Sequence, residues 1–209
     1  MKPYSKVFLI SAISAVLLVC KPLMAGAEDE IDKALSAIMR ADLRSKGPAT
    51  LERAMVRDEA QRACSANSGK INSTTASKIQ NEQLAAVKYP TDGKYLGNWQ
   101  EGEKIAQNGR GLQSSDPVGA PNGGNCYACH QIRKDEIAYG TIGPSLYQYG
   151  KLRGDSEGVL KYTWAKIYNA QAFNACSNMP RFGHQHILTE QQLRDVMALL
   201  LDPASPVNK

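Results

Sequence analysis

The sequence predicts an all-α protein in two parts, a helical N-terminal extension and a larger C-terminal domain. Apolar residues recur at helical spacing in several segments, most clearly near the end, where Leu193, Val196, Met197 and Leu200 form one stripe. No segment shows the alternation of apolar and polar residues that is typical of half-buried strands. With 43% apolar and 22% charged residues in 209, the chain can build a core and stay soluble.

The N-terminus has the features of an export signal. A short basic start precedes the apolar run 7–20, and Ala25–Gly26–Ala27 offers a small-x-small cleavage site. At 14 residues the run is short for a membrane-spanning helix. A lipid anchor on Cys20 is the other alternative, although Val19 is an awkward residue before a lipidated cysteine. We expect cleavage after Ala27 and a periplasmic protein without a membrane anchor.

The charge of the mature chain argues against a nucleic-acid partner. Residues 1–27 contain three lysines and no acid, so 22 basic and 20 acidic residues remain, a net charge of +2. The sequence also has no P-loop and no dinucleotide-binding glycine pattern.

Residues 28–96 form the predicted extension. Helical spacing extends from Ile31 to Leu43, and Gly47-Pro48 interrupts it. A second helix is expected from Thr50 to about Ala66, and a weaker third segment stops at Tyr89-Pro90. Because large apolar side chains are few, we expect this region to pack on the next domain, with a solvated helical arm as the alternative.

Residues 97–209 form the second predicted domain. A short helix fits "NWQEGEKIAQNG" and is followed by a Gly/Pro/Ser-rich loop at 110–124, a cysteine motif and the loop "YGTIGPSL". Another helix is expected within Val159–Ala172. The last helix begins at a capping box formed by Thr189 and Gln192, and it ends before Pro203.

The chemistry is concentrated in Cys126-Tyr127-Ala128-Cys129-His130, a C-x-x-C-H sequence. Two thiols at this spacing can add to the two vinyl groups of one porphyrin, and the next histidine then lies against the iron. A redox dithiol would need a strand–helix context, and a zinc site would need further ligands at suitable spacing. The motif therefore predicts one covalent haem c, with Cys126 and Cys129 attached to it and His130 on the iron.

An electron carrier also needs a sixth iron ligand, because a filled coordination shell excludes oxygen and limits rearrangement. The candidates are Met179, His184, His186 and Cys176. Met179 precedes a proline in a loop just before the last helix, and a thioether favours ferrous iron. We therefore predict Met179 as the ligand, with the two histidines as second choices.

Two cysteines remain after the signal and the haem motif are set aside, Cys64 and Cys176. In an exported protein an even remainder indicates a disulfide bond. We expect this bond to join the extension to the segment before Met179, and the alternative is two unpaired buried thiols.

From Gly102 onward the chain resembles the class I cytochromes c. "GEKIA" resembles their N-terminal helix, "GPSL" the loop after the haem and "MPRFG" the methionine loop. Within that class it is most similar to SoxX, the monohaem subunit of the sulfur-oxidation cytochrome SoxAX. The closer match lies in "GNCYACHQI", "GTIGPSLYQYGKLRG", "NMPRFGHQHILT" and "DVMALLLDPASPVN", and it spans about residues 97–209.

The resemblance implies roles for individual residues. Cys126 and Cys129 match the thioether cysteines, and His130 and Met179 match the proximal and distal ligands. Pro144 matches the proline whose carbonyl accepts the other ring N–H of the histidine. Gly102 matches the glycine that allows close crossing with the C-terminal helix. The 110–124 loop departs from small cytochromes c, which are shorter there.

The resemblance also implies a place in an enzyme complex. A SoxA-type subunit would couple thiosulfate oxidatively to a cysteine of a SoxY-type carrier, an L-cysteine S-thiosulfotransferase activity. This chain would accept the electrons and pass them to a soluble cytochrome c without its own nucleophile. The alternatives are a free-standing electron shuttle, a thiol enzyme that uses Cys176 or Cys64, and an iron left open for ligands.

Overall fold

The computed structural model describes residues 30–66 and 68–209, and within these it is helical without β-strands, as the sequence predicts. The predicted signal peptide, residues 1–27, lies outside the described residues. The described chain divides into two compact units, one formed by residues 30–45 and 50–55 and the other by 46–49 and the rest from Val56. The division at residues 96 and 97 stays a prediction about domain organisation.

Eight α-helices are present in the described residues. They are α1 (30–42), α2 (Leu51–Met55), α3 (Glu59–Ala66), α4 (Ser73–Ala85), α5 (Trp99–Gln107), α6 (Tyr149–Arg153), α7 (Glu157–Tyr168) and α8 (Glu190–Leu201). The first unit contains α1 and α2. The Ser45 hydroxyl accepts a hydrogen bond from the Leu51 N–H at 2.8 Å and so links the two helices.

The single helix expected from Thr50 to about Ala66 is two helices, because Asp58 begins a new one. The Asp58 carboxylate accepts the Gln61 N–H at 2.9 Å, and the Gln61 side chain accepts the Asp58 N–H at 3.0 Å. This reciprocal pair satisfies two backbone donors that a helix start leaves open. The preceding residues, 56–58, are non-helical.

Residues 56–96 pack against the C-terminal part of the chain within the second unit. The Trp164 indole N–H donates to the Lys88 carbonyl at 2.8 Å, and Trp164 is almost fully buried. The Asn169 amide donates to the Gln83 carbonyl at 3.2 Å. The expectation that this region packs on the next domain is confirmed for residues 56–96.

Helices α5 and α8 cross closely at Gly102. A Cβ atom at this position would lie 2.1 Å from the Asp195 carbonyl oxygen, so only glycine fits the crossing. The predicted role of Gly102 is confirmed. Helix α8 begins with the expected capping box of Thr189 and Gln192, and its residues from Val196 to Leu201 are all buried.

The core lies between α5, α7 and α8. Helix α7 is followed by a 3₁₀ turn, Ala170–Ala172, so the segment expected within Val159–Ala172 is confirmed. Helix α6 was not predicted, because its five residues are too few to show helical periodicity. These four helices and the loops between them surround one cavity.

Candidate functional site

The cavity of the second unit has a volume of about 640 Å³, within the roughly 300–1,000 Å³ typical of small-molecule sites. Its walls are mostly apolar, and of the described residues that line it none is an aspartate or a glutamate. Two segments contribute most of the candidate residues. We call residues 126–146 the histidine loop and residues 169–188 the methionine loop. The apolar lining includes Ala106, Ile132, Leu146, Ile167, Phe182, Leu188, Val196, Leu199 and Leu200.

The histidine loop brings both motif cysteines to the cavity. Cys126–Ala128 form a 3₁₀ turn, and the Cys126 carbonyl accepts the backbone N–H groups of Cys129 at 3.1 Å and His130 at 2.9 Å. Both thiols are unpaired and both residues line the cavity. Burial raises the pKa of the Cys126 thiol to about 12, so this thiol is protonated at neutral pH and is a poor thiolate nucleophile.

The ring of His130 is oriented by the backbone that follows it. Its Nδ1 lies 2.7 Å from the Pro144 carbonyl oxygen. Because a carbonyl only accepts, Nδ1 carries the proton and the Nε2 lone pair is free to bind a metal. Gly143 makes room for this arrangement, since a Cβ there would lie 2.1 Å from His130 Cε1. Sequence reasoning assigned no role to Gly143, although it precedes the proline directly.

Met179 lines the same cavity from the methionine loop and packs against the core. Its backbone N–H donates to the Ser177 hydroxyl at 3.2 Å. The second choices, His184 and His186, are absent from the residues that line the cavity. Burial lowers the pKa of His184, and the neighbouring Arg181 charge adds to this.

The predicted disulfide bond between Cys64 and Cys176 is present, with Cα atoms 5.5 Å apart. It links α3 to the methionine loop, three residues before Met179. Because its sulfur is already bonded, Cys176 is not available as an iron ligand.

A second connection lies just beyond Met179, at Arg181, which is only 5% exposed. Its guanidinium donates to the Asp58 carboxylate at 2.6 Å and to the Gln83 amide oxygen at 3.1 Å. Burial opposes ionisation of Asp58, but the Gln61 N–H and the Arg181 charge outweigh it and lower the carboxyl pKa. The sequence carried no signal for this pair, which lies 123 positions apart.

The 110–124 loop is fastened at its C-terminal end. The Gly123 N–H donates to the Arg110 carbonyl at 2.8 Å, and the Asn122 amide donates to the Ile187 carbonyl at 2.8 Å. The two ends of the loop are therefore held together, and its C-terminal end contacts the methionine loop.

The geometry fits a haem. Two thiols and one oriented imidazole lie at one cavity with apolar walls, and a thioether lines it as well. Within residues 30–66 and 68–209, no group of three or more His, Cys, Asp or Glu side chains could hold a metal ion without such a cofactor. No helix among the residues that the structure describes is long and apolar enough to cross a bilayer.

Comparison with known proteins agrees with this chemistry. Residues 99–202 match the Cytochrome c family, the stretch that contains α5, the histidine loop, the methionine loop and α8. Residues 99–202 belong to this family, so the protein is a c-type cytochrome with an all-α class I fold, and its function is electron transfer with a haem c cofactor.

A relative covers almost the whole length of the chain. It is described as an uncharacterized lipoprotein of Aquifex aeolicus (strain VF5), and it is 33% identical over 208 residues, 98% of each protein. The similarity therefore includes the extension as well as the cytochrome c domain. An exported protein is compatible with this relative.

Proposed function

We propose that the protein is a monohaem cytochrome whose haem is bonded covalently to Cys126 and Cys129, with His130 and Met179 as axial ligands. The observation that carries this proposal is the convergence of these four side chains on one cavity of about 640 Å³. Haem c supplies an iron that exchanges one electron at a time between its ferric and ferrous states.

The chain's own residues prepare the site for this exchange. Pro144 fixes the ring of His130 and leaves Nε2 for the iron, which raises the basicity of that nitrogen. The thioether of Met179 favours ferrous iron and so raises the reduction potential. The apolar walls exclude water, which limits solvent rearrangement when the charge of the site changes.

Mass spectrometry of the denatured protein tests the attachment. We expect the mass of the mature chain plus one haem, and each single variant, Cys126→Ser and Cys129→Ser, should disturb attachment. A haem that passes into organic solvent after denaturation contradicts the covalent bonds.

For the distal ligand, Met179→Ala should change the ferric spectrum and lower the reduction potential of the haem, whereas His184→Ala should leave both unchanged.

We further propose that the protein is the electron-transfer subunit of a SoxAX-type complex, an L-cysteine S-thiosulfotransferase. The support is the similarity to SoxX across residues 97–209, which extends well beyond the haem motif. The disulfide supports a subunit without its own nucleophile, because Cys64 and Cys176 are both bonded and the described part of the chain has no other unpaired cysteine outside the motif. A SoxA-type subunit is the stable partner, and a SoxY-type carrier and a soluble cytochrome c bind transiently.

A reconstituted assay tests this second proposal. The native holoprotein is mixed with a SoxA-type subunit, and complex formation is measured by size exclusion with mass detection. Thiosulfate-dependent reduction of a soluble cytochrome c is then measured with and without the carrier. A monomer that neither binds the partner nor supports this reduction is a free-standing shuttle.

The compartment follows from the N-terminal sequence. We propose export to the periplasm with cleavage after Ala27. The lipoprotein description of the Aquifex relative favours the alternative, a lipid on Cys20. The mass of the mature N-terminal peptide separates the two, since cleavage after Ala27 leaves a free Glu28 amine and lipidation leaves an acylated Cys20.

A further inference from the structure

Among the residues that the structure describes, two cations and no carboxylate line the cavity. Arg153 is the last residue of α6, and Lys166 lies in the last turn of α7. They are the only Lys or Arg residues among the described residues that line it. Neither residue carries a signal in the sequence, because nothing in their spacing marks them.

Lys166 has no carboxylate counter-ion among the residues that the structure describes. The residue is half-buried, and burial lowers the pKa of its ammonium group. Its Nζ lies 5.6 Å from the centroid of the Phe173 ring, and no carboxylate of the described chain lies within ion-pair distance. Lys161 on the same helix differs, since its Nζ is 2.6 Å from the Glu157 carboxylate.

Arg153 is exposed, and it too has no ion pair within the described part of the chain. Lys166 is partly withdrawn from water, and an anion would compensate the cost of that burial more fully than the Phe173 ring alone does. An electron-transfer haem in this cavity brings two carboxylates of its own, the propionates. Those two negative charges match the two cations, which have no ion pair within residues 30–66 and 68–209 and lie at a cavity that no carboxylate of these residues lines.

We infer that Arg153 and Lys166 bind the two propionate carboxylates of the haem. This inference rests on the proposed haem site and adds the residues that bind the charged edge of the cofactor. The guanidinium of Arg153 presents paired N–H donors that suit a carboxylate, and Lys166 acts as a compact point charge. Asn174 and Ser177 line the same cavity and offer neutral donors.

The pairing has a measurable consequence for the iron. A cation at the cavity wall destabilises the ferric state, which carries one more positive charge than the ferrous state. Removal of either cation should therefore lower the reduction potential. Removal of Lys166 should have the larger effect, because it is the less exposed of the two and water screens it less.

The experiment uses the holoprotein with Lys166→Gln, Arg153→Gln and the control Lys151→Gln. Lys151 lies on α6, is exposed and does not line the cavity. Two quantities are measured: the reduction potential, and the carboxylate bands of the propionates by infrared difference and resonance Raman spectroscopy. We expect both cavity variants to shift the bands and lower the potential, with Lys151→Gln unchanged. Lys166→Arg should retain the bands of the wild type, which tests Lys166 even if the glutamine variant folds poorly.

Cavity variants whose bands and potential both match those of Lys151→Gln overturn the inference, provided that the haem is loaded and its His/Met spectrum is intact. A chain that purifies without haem overturns the proposed haem site instead, and the two failures are thereby distinguished.

Discussion

The two loops that line the cavity differ in how they are fixed. The histidine loop is positioned mainly by bonds within itself: the Gly143 N–H donates to the Cys129 carbonyl at 2.8 Å, and the Pro144 carbonyl binds the His130 ring at 2.7 Å. The methionine loop is tied to residues more than a hundred positions earlier, through the disulfide bond and through Arg181. The position of His130 is thus set by local geometry and that of Met179 by tertiary structure.

Because of this difference, the two proposed axial ligands should respond to different perturbations of the protein. Damage within residues 126–146 should affect His130 directly. Damage to α3 or α4, far from the cavity in sequence, should affect Met179 first.

The disulfide bond should make the largest contribution to the free energy of unfolding. Its cysteines are separated by 112 positions, and closing a loop of that size is worth roughly 4–5 kcal/mol in the chain-entropy account. The double variant Cys64→Ser/Cys176→Ser should lose much of this in denaturant unfolding of the holoprotein. The long-wavelength charge-transfer band of methionine-ligated ferric haem should weaken well before histidine ligation is lost.

The control is Ser65→Ala, an exposed neighbour of Cys64 on α3, which should change stability by less than about 0.5 kcal/mol. If the double variant unfolds at the wild-type denaturant concentration and keeps its charge-transfer band, the methionine loop does not depend on this bond.

Gly143→Ala should give the next largest effect, on the other loop. The added Cβ would lie 2.1 Å from His130 Cε1, so the ring must move, and overpacking of this kind costs about 1–3 kcal/mol. We expect poor haem loading and altered histidine ligation by absorption spectroscopy. Gly158→Ala is the matched control: no atom lies within 4 Å of its Cβ position in α7, so it should be neutral or stabilising. Normal ligation in Gly143→Ala would show that the loop adjusts freely.

Asp58→Asn should destabilise the protein by about 2 kcal/mol, because it leaves the Arg181 charge buried and unpaired, although partial exposure of Asp58 reduces the effect. The folded pKa of Asp58 is lowered, so its contribution is fully present above its ordinary value of 3.8 and is lost as pH falls through the folded pKa. The difference between variant and wild type should therefore be full at pH 6 and shrink below about pH 4.

The measurement is urea unfolding at several pH values, with Asp155→Asn as the control for an exposed carboxylate that has no ion pair in the described chain. A difference that stays constant down to pH 3 would argue that the charge of Asp58 is not what stabilises the methionine loop.

Tyr127→Phe should have the smallest effect, about 1 kcal/mol for one buried hydrogen bond. The Tyr127 hydroxyl donates to Glu103 at 3.0 Å, and burial together with that carboxylate raises the pKa of the phenol. This bond ties the histidine loop to α5. Tyr139 lies in the same loop and has no such bond in the described structure. Tyr139→Phe should therefore leave the melting temperature unchanged. Equal melting temperatures for the two variants would show that the Tyr127–Glu103 hydrogen bond does not stabilise the histidine loop.

The sequence could predict the features that depend on local geometry, and it could not predict those that depend on tertiary contacts. The C-x-x-C-H motif, the proline after Gly143 and the capping box of α8 are local patterns, and the structure places each as expected. The disulfide bond could be predicted because two cysteines remain in an exported protein once the signal and the haem motif are set aside. The pair of Arg181 and Asp58 could not be predicted, because the two residues lie 123 positions apart. The cations of the cavity wall, Arg153 and Lys166, could not be predicted because nothing in their spacing marks them. Helix α6 was missed since five residues carry too little periodicity.

The disulfide bond has one more consequence, for how the protein responds to proteolysis. Cys64 and Cys176 close a covalent ring of backbone, and the whole C-x-x-C-H motif lies inside it. The exposed tip of the 110–124 loop is the kind of segment that proteases cut first. A single cut there opens the ring but releases nothing: the two fragments stay joined through sulfur, and they separate on a gel only after reduction.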